Sequence, residues 1–406
     1  MLPKEKSKYK KNGNDLAFLF FRHSRVIGAV MVVLFTLFMV FEKKDDFTSA
    51  SYVLPSFEGK SYMDRGDYIY SSRVGSTSGK TSRVKAAMVV LVRDKDLYSL
   101  VDAIKQVEDR FNKNFNYDWV FLSEALFSDD FKEVTTALVS GKTKYGLIPE
   151  SQWSYPEWID QKRAAAVREE MRKAEIIFGD MESYRHMCRY ESGFFYRHPE
   201  LEEYDYYWRI EPDIKLHCDI NYDIFRFMKD NGKKYGFTIS IHEYVSTIMT
   251  LWNTTKEFMA EHPEHIHENN MLDFISDDGG ESYNNCHFWS NFEIGDLNFW
   301  RGEAYSAYFD HLDKAGGFFY ERWGDAPVHS IAAALLLDRN EIHHFNDLGY
   351  FHNPFHQCPI DDVVRFENRC GCDPALDFTW KDFSCGVQFY TVNELKKPDG
   401  WVGHVG

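Results

Sequence analysis

Short apolar runs alternate with longer amphipathic segments along this 406-residue chain, and few architectures satisfy that pattern. Residues 86–92 (AAMVVLV) have the character of a strand that is buried on both faces. Residues 94–115 carry apolar side chains at helical spacing, and residues 118–122 form the next apolar run. The pattern predicts an α/β fold in which helices cover both faces of a central, mostly parallel, mixed sheet.

The same alternation continues towards the middle of the chain. It predicts further strands at residues 144–148, 204–210 and 235–241, and further helices at residues 131–139, 156–176, 222–230 and 247–262. The local motifs G-x-G-x-x-G, H-E-x-x-H and G-x-S-x-G do not occur in the sequence. Dinucleotide-binding, zincin and α/β-hydrolase interpretations therefore lack their local signals.

An uncharged apolar run at residues 26–41 separates a basic arm from an acidic body. The first 44 residues contain nine Lys and Arg against three Asp and Glu, so they carry +6 and the remainder −22 of the net −16. The positive-inside bias places the basic arm in the cytosol and the body in the lumen. A cleaved signal peptide is the alternative, and it delivers the body to the same compartment. The acidic body makes nucleic acid an unfavourable partner.

These features give a domain organisation. We predict a cytosolic tail at residues 1–25, one transmembrane signal-anchor helix at residues 26–41, a lumenal stem at residues 42–85 and a catalytic domain at residues 86–406. The sequon that begins at Asn253 predicts a glycosylation site in this lumenal body.

The seven cysteines are compatible with an oxidising lumen, where they predict disulfides with at least one thiol left over. The alternative is a zinc site made by four cysteines near the C-terminus, which are Cys358, Cys370, Cys372 and Cys385. Their spacing lacks a C-x-x-C pair, which weighs against zinc.

The segment YYWRIEPD has the most informative local pattern. Glu211 and Asp213 follow a predicted strand, and open parallel sheets bind ligands beyond the carboxyl ends of their strands. Two carboxylates there can hold a hard divalent cation that takes the rest of its ligands from substrate phosphates. Arg209 could contact phosphate or orient a carboxylate. A solvated strand end with a surface ion pair is the equally weighted alternative.

Three further stretches combine polar and aromatic side chains. Residues 288–296 place Glu293 and Trp289 among aromatic residues without a helical or strand period, as a sugar site would, although an aromatic core segment is the alternative. Asp325 either caps the apolar helix that follows it or contacts substrate. His352 could bind a metal ion, but Pro354 argues against a helical pair with His356, so a surface loop is favoured.

In this order, the strings YYWRIEPD, CHFWSNFEIGDL, ERWGDAPVHS and GYFHNPF resemble the fungal Golgi α-1,2-mannosyltransferases that use GDP-mannose. The resemblance spans about residues 86–359 and includes the short tail, single span and stem. It implies a GT-A-type nucleotide-sugar fold and Mn²⁺-dependent, retaining transfer of mannose to mannose-terminated O-linked or N-linked glycans, such as those of cell-wall mannoproteins. It also implies a single-pass type II protein in the Golgi membrane.

The resemblance implies roles for individual residues. Glu211 and His352 would be metal ligands, and Tyr184, Arg209, Asp213 and Trp289 would bind substrate. Glu293 and Asp325 would be the catalytic carboxylates. Two other classes remain open, which are an impaired lumenal glycan-binding or scaffold protein and a glycan hydrolase that needs neither nucleotide nor metal.

Overall fold

The structure is a computed structural model that describes residues 83–398. The predicted cytosolic tail, the predicted membrane span and almost all of the predicted stem lie outside the described residues. Within residues 83–398, no helix combines the length and apolar composition that crossing a bilayer requires.

Residues 83–398 form twelve strands in three sheets. In chain order they are β1 (Ala86–Leu91), β2 (Asp118–Ser123), β3 (Thr143–Leu147), β4 (Tyr206–Arg209), β5 (Lys215–Leu216), β6 (Tyr235–Phe237), β7 (Ser240–His242), β8 (Cys286–Phe288), β9 (Glu293–Asp296), β10 (Ile342–His344), β11 (Tyr350–His352) and β12 (Phe355–His356). The main sheet has the order β10-β6-β9-β4-β1-β2-β3, and the small sheets are β12-β11-β5 and β7-β8.

Helices lie between these strands along the chain, and the last two helices follow β12. Within the described residues they are α1 (Leu97–Arg110), α2 (Asp129–Leu138), α3 (Gln161–Lys173), α4 (Glu182–Gly193), α5 (Ile224–Asp230), α6 (Leu251–Glu261), α7 (Leu272–Ile275), α8 (Leu297–Arg301), α9 (Glu303–Ala315), α10 (Gly317–Tyr320), α11 (Asp325–Leu336), α12 (Asp362–Glu367) and α13 (Gly386–Val392).

Two hydrophobic cores cover the two faces of the main sheet. Alternate residues of β1 enter different cores: Met88 and Val90 pack with α1, α2 and α5, whereas Ala87 and Val89 belong to the core that contains α4, α9 and α11. This double burial explains why β1 is apolar at nearly every position. The predicted α/β architecture, with a mostly parallel sheet between helices, is confirmed.

One strand of the main sheet breaks the parallel order. β9 lies between β4 and β6 and is antiparallel to both, while the other neighbouring pairs are parallel. Residues 288–296 have no strand period, so no strand was predicted there, and this was wrong because Glu293–Asp296 form β9. β9 has only four residues, and its burial comes from distant partners rather than from a local repeat.

Two other predictions need correction. The predicted strand at residues 235–241 is divided between β6 and β7, which belong to different sheets. The favoured surface loop around His352 is instead a pair of short strands, β11 and β12, with β11 paired to β5. Both segments are too short for periodicity to define them.

Six of the seven cysteines form disulfides. The pairs are Cys218–Cys370, Cys286–Cys385 and Cys358–Cys372, and Cys188 is a buried free thiol. The prediction of disulfides with a thiol left over is confirmed. The alternative zinc site is wrong, because all four cysteines proposed for it are in disulfides.

We expect the loop that each disulfide closes to set its contribution to stability. Cys286 and Cys385 are 99 residues apart, whereas Cys358 and Cys372 are only 14 apart. Replacing the first pair by serine should lower the free energy of unfolding by about 4–5 kcal/mol, against about 3 kcal/mol for the second pair. Urea denaturation of the two double variants measures the difference. A larger loss from the short loop would contradict the loop-length argument.

Candidate active site

The carboxyl ends of β1, β2 and β4 meet at one edge of the main sheet, because the order there is β4-β1-β2 and all three strands are parallel. A cleft of about 230 Å³ opens at this edge, and its walls include Arg93, Glu124, Tyr184 and Glu211. Ligands of open α/β sheets bind at this kind of edge. The cleft is therefore the candidate active site.

Arg209, the last residue of β4, organises the mouth of the cleft. Its Nε donates to Oε1 of Glu211 at 2.7 Å, and its Nη1 donates to Oδ2 of Asp325 at 2.6 Å. The guanidinium is buried and so bridges two carboxylates that come from distant parts of the chain. These contacts orient the Glu211 and Asp325 carboxylates, and contact of Arg209 with a phosphate stays a prediction.

Asp325 is the first residue of α11, and its side chain does not cap that helix. Gly324 occupies the N-cap position, whereas the Asp325 carboxylate accepts hydrogen bonds from Arg209 and from the Ser290 hydroxyl at 2.7 Å. The capping interpretation of Asp325 was therefore wrong, because charged and hydroxyl donors compete for the carboxylate. Burial favours a higher pKa for Asp325, but Arg209, His329 and the Ser290 hydroxyl together outweigh burial and the pKa is lowered.

Glu293, the first residue of β9, has no exposed surface. Its carboxylate accepts hydrogen bonds from three side chains. Tyr207 donates to Oε1, whereas Tyr235 and His329 each contact Oε2 at 2.9 Å. Because β4 and β9 pair with Arg209 opposite Glu293, this network lies directly beside Arg209.

The partners of His329 favour the protonated form of its imidazole. Its Nδ1 faces the Glu293 carboxylate, and its Nε2 faces the main-chain carbonyl of Glu191 at 3.1 Å. Both partners can accept hydrogen bonds, and an imidazole donates from both nitrogens only when it is protonated. Burial favours a lower pKa for His329, but the charge and the hydrogen bond of Glu293, together with the charge of Asp325, outweigh burial and the pKa is raised.

A glycine makes the close packing around Glu293 possible. A Cβ on Gly295 would lie 2.6 Å from Cε1 of Tyr207 and 2.9 Å from Nε1 of Trp300. No other residue type leaves room for Tyr207, which reaches the Glu293 carboxylate from the neighbouring strand. The glycine in the sequence EIGD is therefore required by the packing of Tyr207 and Trp300 against β9.

Glu211 and His352 have side-chain atoms that suit coordination of a divalent cation. Both Arg209 contacts involve Oε1 of Glu211, and Oε2 has no hydrogen-bond partner within residues 83–398. His352 ends β11, which pairs with β5, the strand that follows the EPD turn. A carboxylate oxygen and an imidazole nitrogen, both partly exposed, fit a cation that completes its coordination with substrate oxygens.

The predicted substrate-binding residues surround this edge. Tyr184 lines the cleft from α4, and burial raises its pKa well above the usual value, so its hydroxyl stays protonated. Trp289 packs edge-on against His352 with ring centroids 5.2 Å apart. Asp213 is exposed in the turn after β4 and has a left-handed backbone, with φ of 63°.

The predicted glycosylation residue does not belong to this network. Asn253 is exposed on α6, whereas Thr255 of the same sequon is buried and its hydroxyl bonds the carbonyl of Leu251.

Several residues of the network were missed by the sequence analysis, and they are Glu191, Tyr207, Tyr235, Ser290 and His329. The helical i,i+4 spacing from Asp325 to His329 could have indicated a shared face. Nothing in the local sequence marks Glu191, a buried carboxyl whose pKa is raised by burial to about 7.

Comparison with known proteins identifies relatives across most of the chain. The family profile described as glycolipid 2-alpha-mannosyltransferase matches residues 64–394. The alpha-1,2 mannosyltransferase KTR1 of Saccharomyces cerevisiae is 60% identical over 380 residues, which cover 94% of this chain and 96% of that protein. The O-glycoside alpha-1,2-mannosyltransferase omh1 of Schizosaccharomyces pombe is 47% identical, over 94% of this chain and 97% of that protein.

Solved structures match the fold as well. Core-mannan synthase A (CmsA/Ktr4) from Aspergillus fumigatus, in a Mn/GDP form, has 40% sequence identity and a TM-score of 0.73, over 82% of this chain and 90% of that one. The mannosyltransferase Ktr4p of S. cerevisiae, in complex with GDP, has 38% identity and a TM-score of 0.73, over 77% and 83% of the two chains. The family predicted from the sequence motifs is confirmed, and the chain belongs to the fungal α-1,2-mannosyltransferases.

Proposed function

We propose that this protein is a retaining α-1,2-mannosyltransferase that moves mannose from GDP-mannose to mannose-terminated glycans of glycoproteins. The observation that carries the proposal is the Glu211 carboxylate, which Arg209 holds at the mouth of the cleft with one oxygen open. The relatives KTR1 and omh1, and the Mn/GDP form of CmsA/Ktr4, support the same reaction.

Glu211 and His352 would hold Mn²⁺, since a carboxylate oxygen and an imidazole nitrogen are suitable ligands for this ion. When bound, Mn²⁺ neutralises the diphosphate leaving group as the anomeric carbon becomes cationic. Arg209 keeps the Glu211 carboxylate in place, so this side chain does not have to become ordered when the metal ion binds. Asp325 in turn holds the second arm of the Arg209 guanidinium.

Glu293 would act through charge. Both of its oxygens accept hydrogen bonds and its side chain has no access to solvent. Direct attack on a sugar would require these contacts to break. We therefore assign to Glu293 the electrostatic stabilisation of an oxocarbenium-like transition state, with Tyr207, Tyr235 and His329 fixing its position.

We also propose the cellular arrangement that the sequence predicts. Residues 1–25 lie in the cytosol, residues 26–41 span the Golgi membrane, residues 42–85 form a stem and residues 86–406 form the lumenal catalytic domain. The three disulfides within residues 83–398 support an oxidising compartment.

Incubating the full-length protein with GDP-mannose and Mn²⁺, with and without methyl α-mannoside, tests the proposed reaction. We expect a disaccharide with an α-1,2 linkage, identified by NMR, and little mannose released when the acceptor is omitted. Release of mannose at the same rate without acceptor would identify a hydrolase. Acceptor binding without turnover would identify an impaired glycan-binding protein.

A further inference from the structure

A segment rich in histidine and glutamate lies outside the active site, where α6 ends. Residues 257–268 contain four Glu and three His, and no Lys or Arg. Helix α6 ends at Glu261, and the single 3₁₀ turn Pro263–His265 follows it. Side chains three residues apart eclipse one another in such a turn. His262 and His265 therefore lie on the same face of the turn.

The Glu264 carboxylate lies between these two imidazoles. Its Oε1 is 3.2 Å from Nδ1 of His262 and 4.0 Å from Nε2 of His265. One nitrogen from each ring and one carboxylate oxygen lie within 4.8 Å of one another. Two ligand atoms of a tetrahedral zinc ion are about 3.3 Å apart, because each is about 2.0–2.1 Å from the metal. The first distance already matches, and the Glu264 side chain, which is 61% exposed, has room to shorten the second.

A buried ring supports the two imidazoles from below. Phe258 on α6 has no exposed surface, and its ring centroid lies 5.0 Å from that of His262 and 6.2 Å from that of His265. A third histidine, His311 on α9, packs against the same ring, but its two nitrogens face oxygens of α6 at 3.1 and 3.5 Å. The candidate ligands are therefore the first two histidines and Glu264.

This turn is remote from the cleft and favourable for a cation. It lies at the C-terminal end of α6, where the helix dipole attracts positive charge. The main-chain amide of His267 donates to the carbonyl of Leu335 at 2.9 Å. Leu335 is near the end of α11, ten residues after Asp325, which is about 15 Å along the helix. A cation held by this turn is therefore a second ion and not the one in the cleft.

We propose that His262, Glu264 and His265 form a second metal site, which binds Zn²⁺ with water completing a tetrahedral coordination. Two imidazoles, one carboxylate and a water are a ligand set that zinc adopts in proteins. Imidazole favours zinc over the Mg²⁺ and Ca²⁺ that carboxylates alone attract. The bound ion joins the turn to the end of α6 and so stabilises the folded protein. The inference does not depend on the proposed transfer reaction.

Calorimetric titration of Zn²⁺ into the full-length protein tests the site, without a histidine tag and with Mn²⁺ and GDP present to occupy the cleft. Glu264→Gln and the double variant His262→Ala/His265→Ala should weaken zinc binding at this site by at least about 10- to 100-fold, a loss that changes to the outer partners of a metal already cause. Zinc should raise the unfolding temperature of the wild type but not of these variants. Mannosyl transfer measured without zinc should not change.

The matched control is His267→Ala, which removes an imidazole from the same segment and leaves the three ligands in place. Its zinc affinity should equal that of the wild type. If the double variant fails to fold, the exposed position of Glu264 keeps the test intact. Unaltered zinc binding in Glu264→Gln would overturn the site, as would release of the zinc by excess Mg²⁺, which would identify a nonspecific acidic surface. A wild-type protein that binds zinc at this turn but transfers no mannose removes only the proposed function.

Discussion

Glu211→Gln is expected to lower mannosyl transfer by more than about 100-fold, because changes to the outer partners of a metal site already cost about 10- to 100-fold. The substitution keeps the size of the side chain but removes the charge that attracts the cation. Arg209 retains its bond to Asp325, so the fold should survive. The Mn²⁺ concentration for half-maximal activity should rise, and direct Mn²⁺ titration in the presence of GDP should give a weaker dissociation constant.

Glu203→Gln is a suitable control for this experiment, because Glu203 is a solvent-exposed carboxylate paired with Lys144. Its activity and Mn²⁺ dependence should match the wild type. Full turnover of the wild type in EDTA, or an unaltered Mn²⁺ requirement in Glu211→Gln, would exclude Glu211 as a ligand.

Glu293→Gln is expected to lower kcat by at least about 100-fold, on the order of 3 kcal/mol. Positive charge develops on the sugar only as the diphosphate leaves, so the loss should appear in the transition state and not in donor binding. The dissociation constant of GDP should therefore stay close to the wild-type value. Thermal unfolding should also occur at a lower temperature, because the amide cannot satisfy all three donors around Glu293.

Tyr235→Phe separates charge from stability at this position. It removes one hydrogen bond to Glu293 and leaves the carboxylate charged. Its kcat should fall by about 10-fold, which is the lower end of the effect of losing one hydrogen bond to a charged group. Equal losses of kcat in the two variants, or near-wild-type kcat in a folded Glu293→Gln, would assign Glu293 to the core instead of the reaction.

The parts of this fold that were predictable from sequence are those with local signals. β1 and β2 are apolar because both faces are buried, and the edge beyond β4 follows from parallel order. The cysteine count predicted disulfides with a thiol left over, but no local rule pairs Cys286 with Cys385.

The parts that escaped prediction depend on distant neighbours. β9 is a strand because β4 and β6 enclose it, and its four residues show no period of their own. Asp325 looked like a helix cap because its competing donors, Arg209 and Ser290, are far away in sequence. The roles of Glu211, His352 and Glu293 stay predictions until the variants are measured.

The position of β9 has a consequence for how the chain is made. β9 fills the gap between β4 and β6, yet its residues are synthesised after both strands. Until residue 296 emerges, the edges of β4 and β6 lack their partner and are exposed to aggregation and to chaperones. The strand that joins β4 to β6 is also the one that brings Glu293 beside Arg209. Nascent chains that stop short of β9 therefore lack both a continuous sheet and an assembled site.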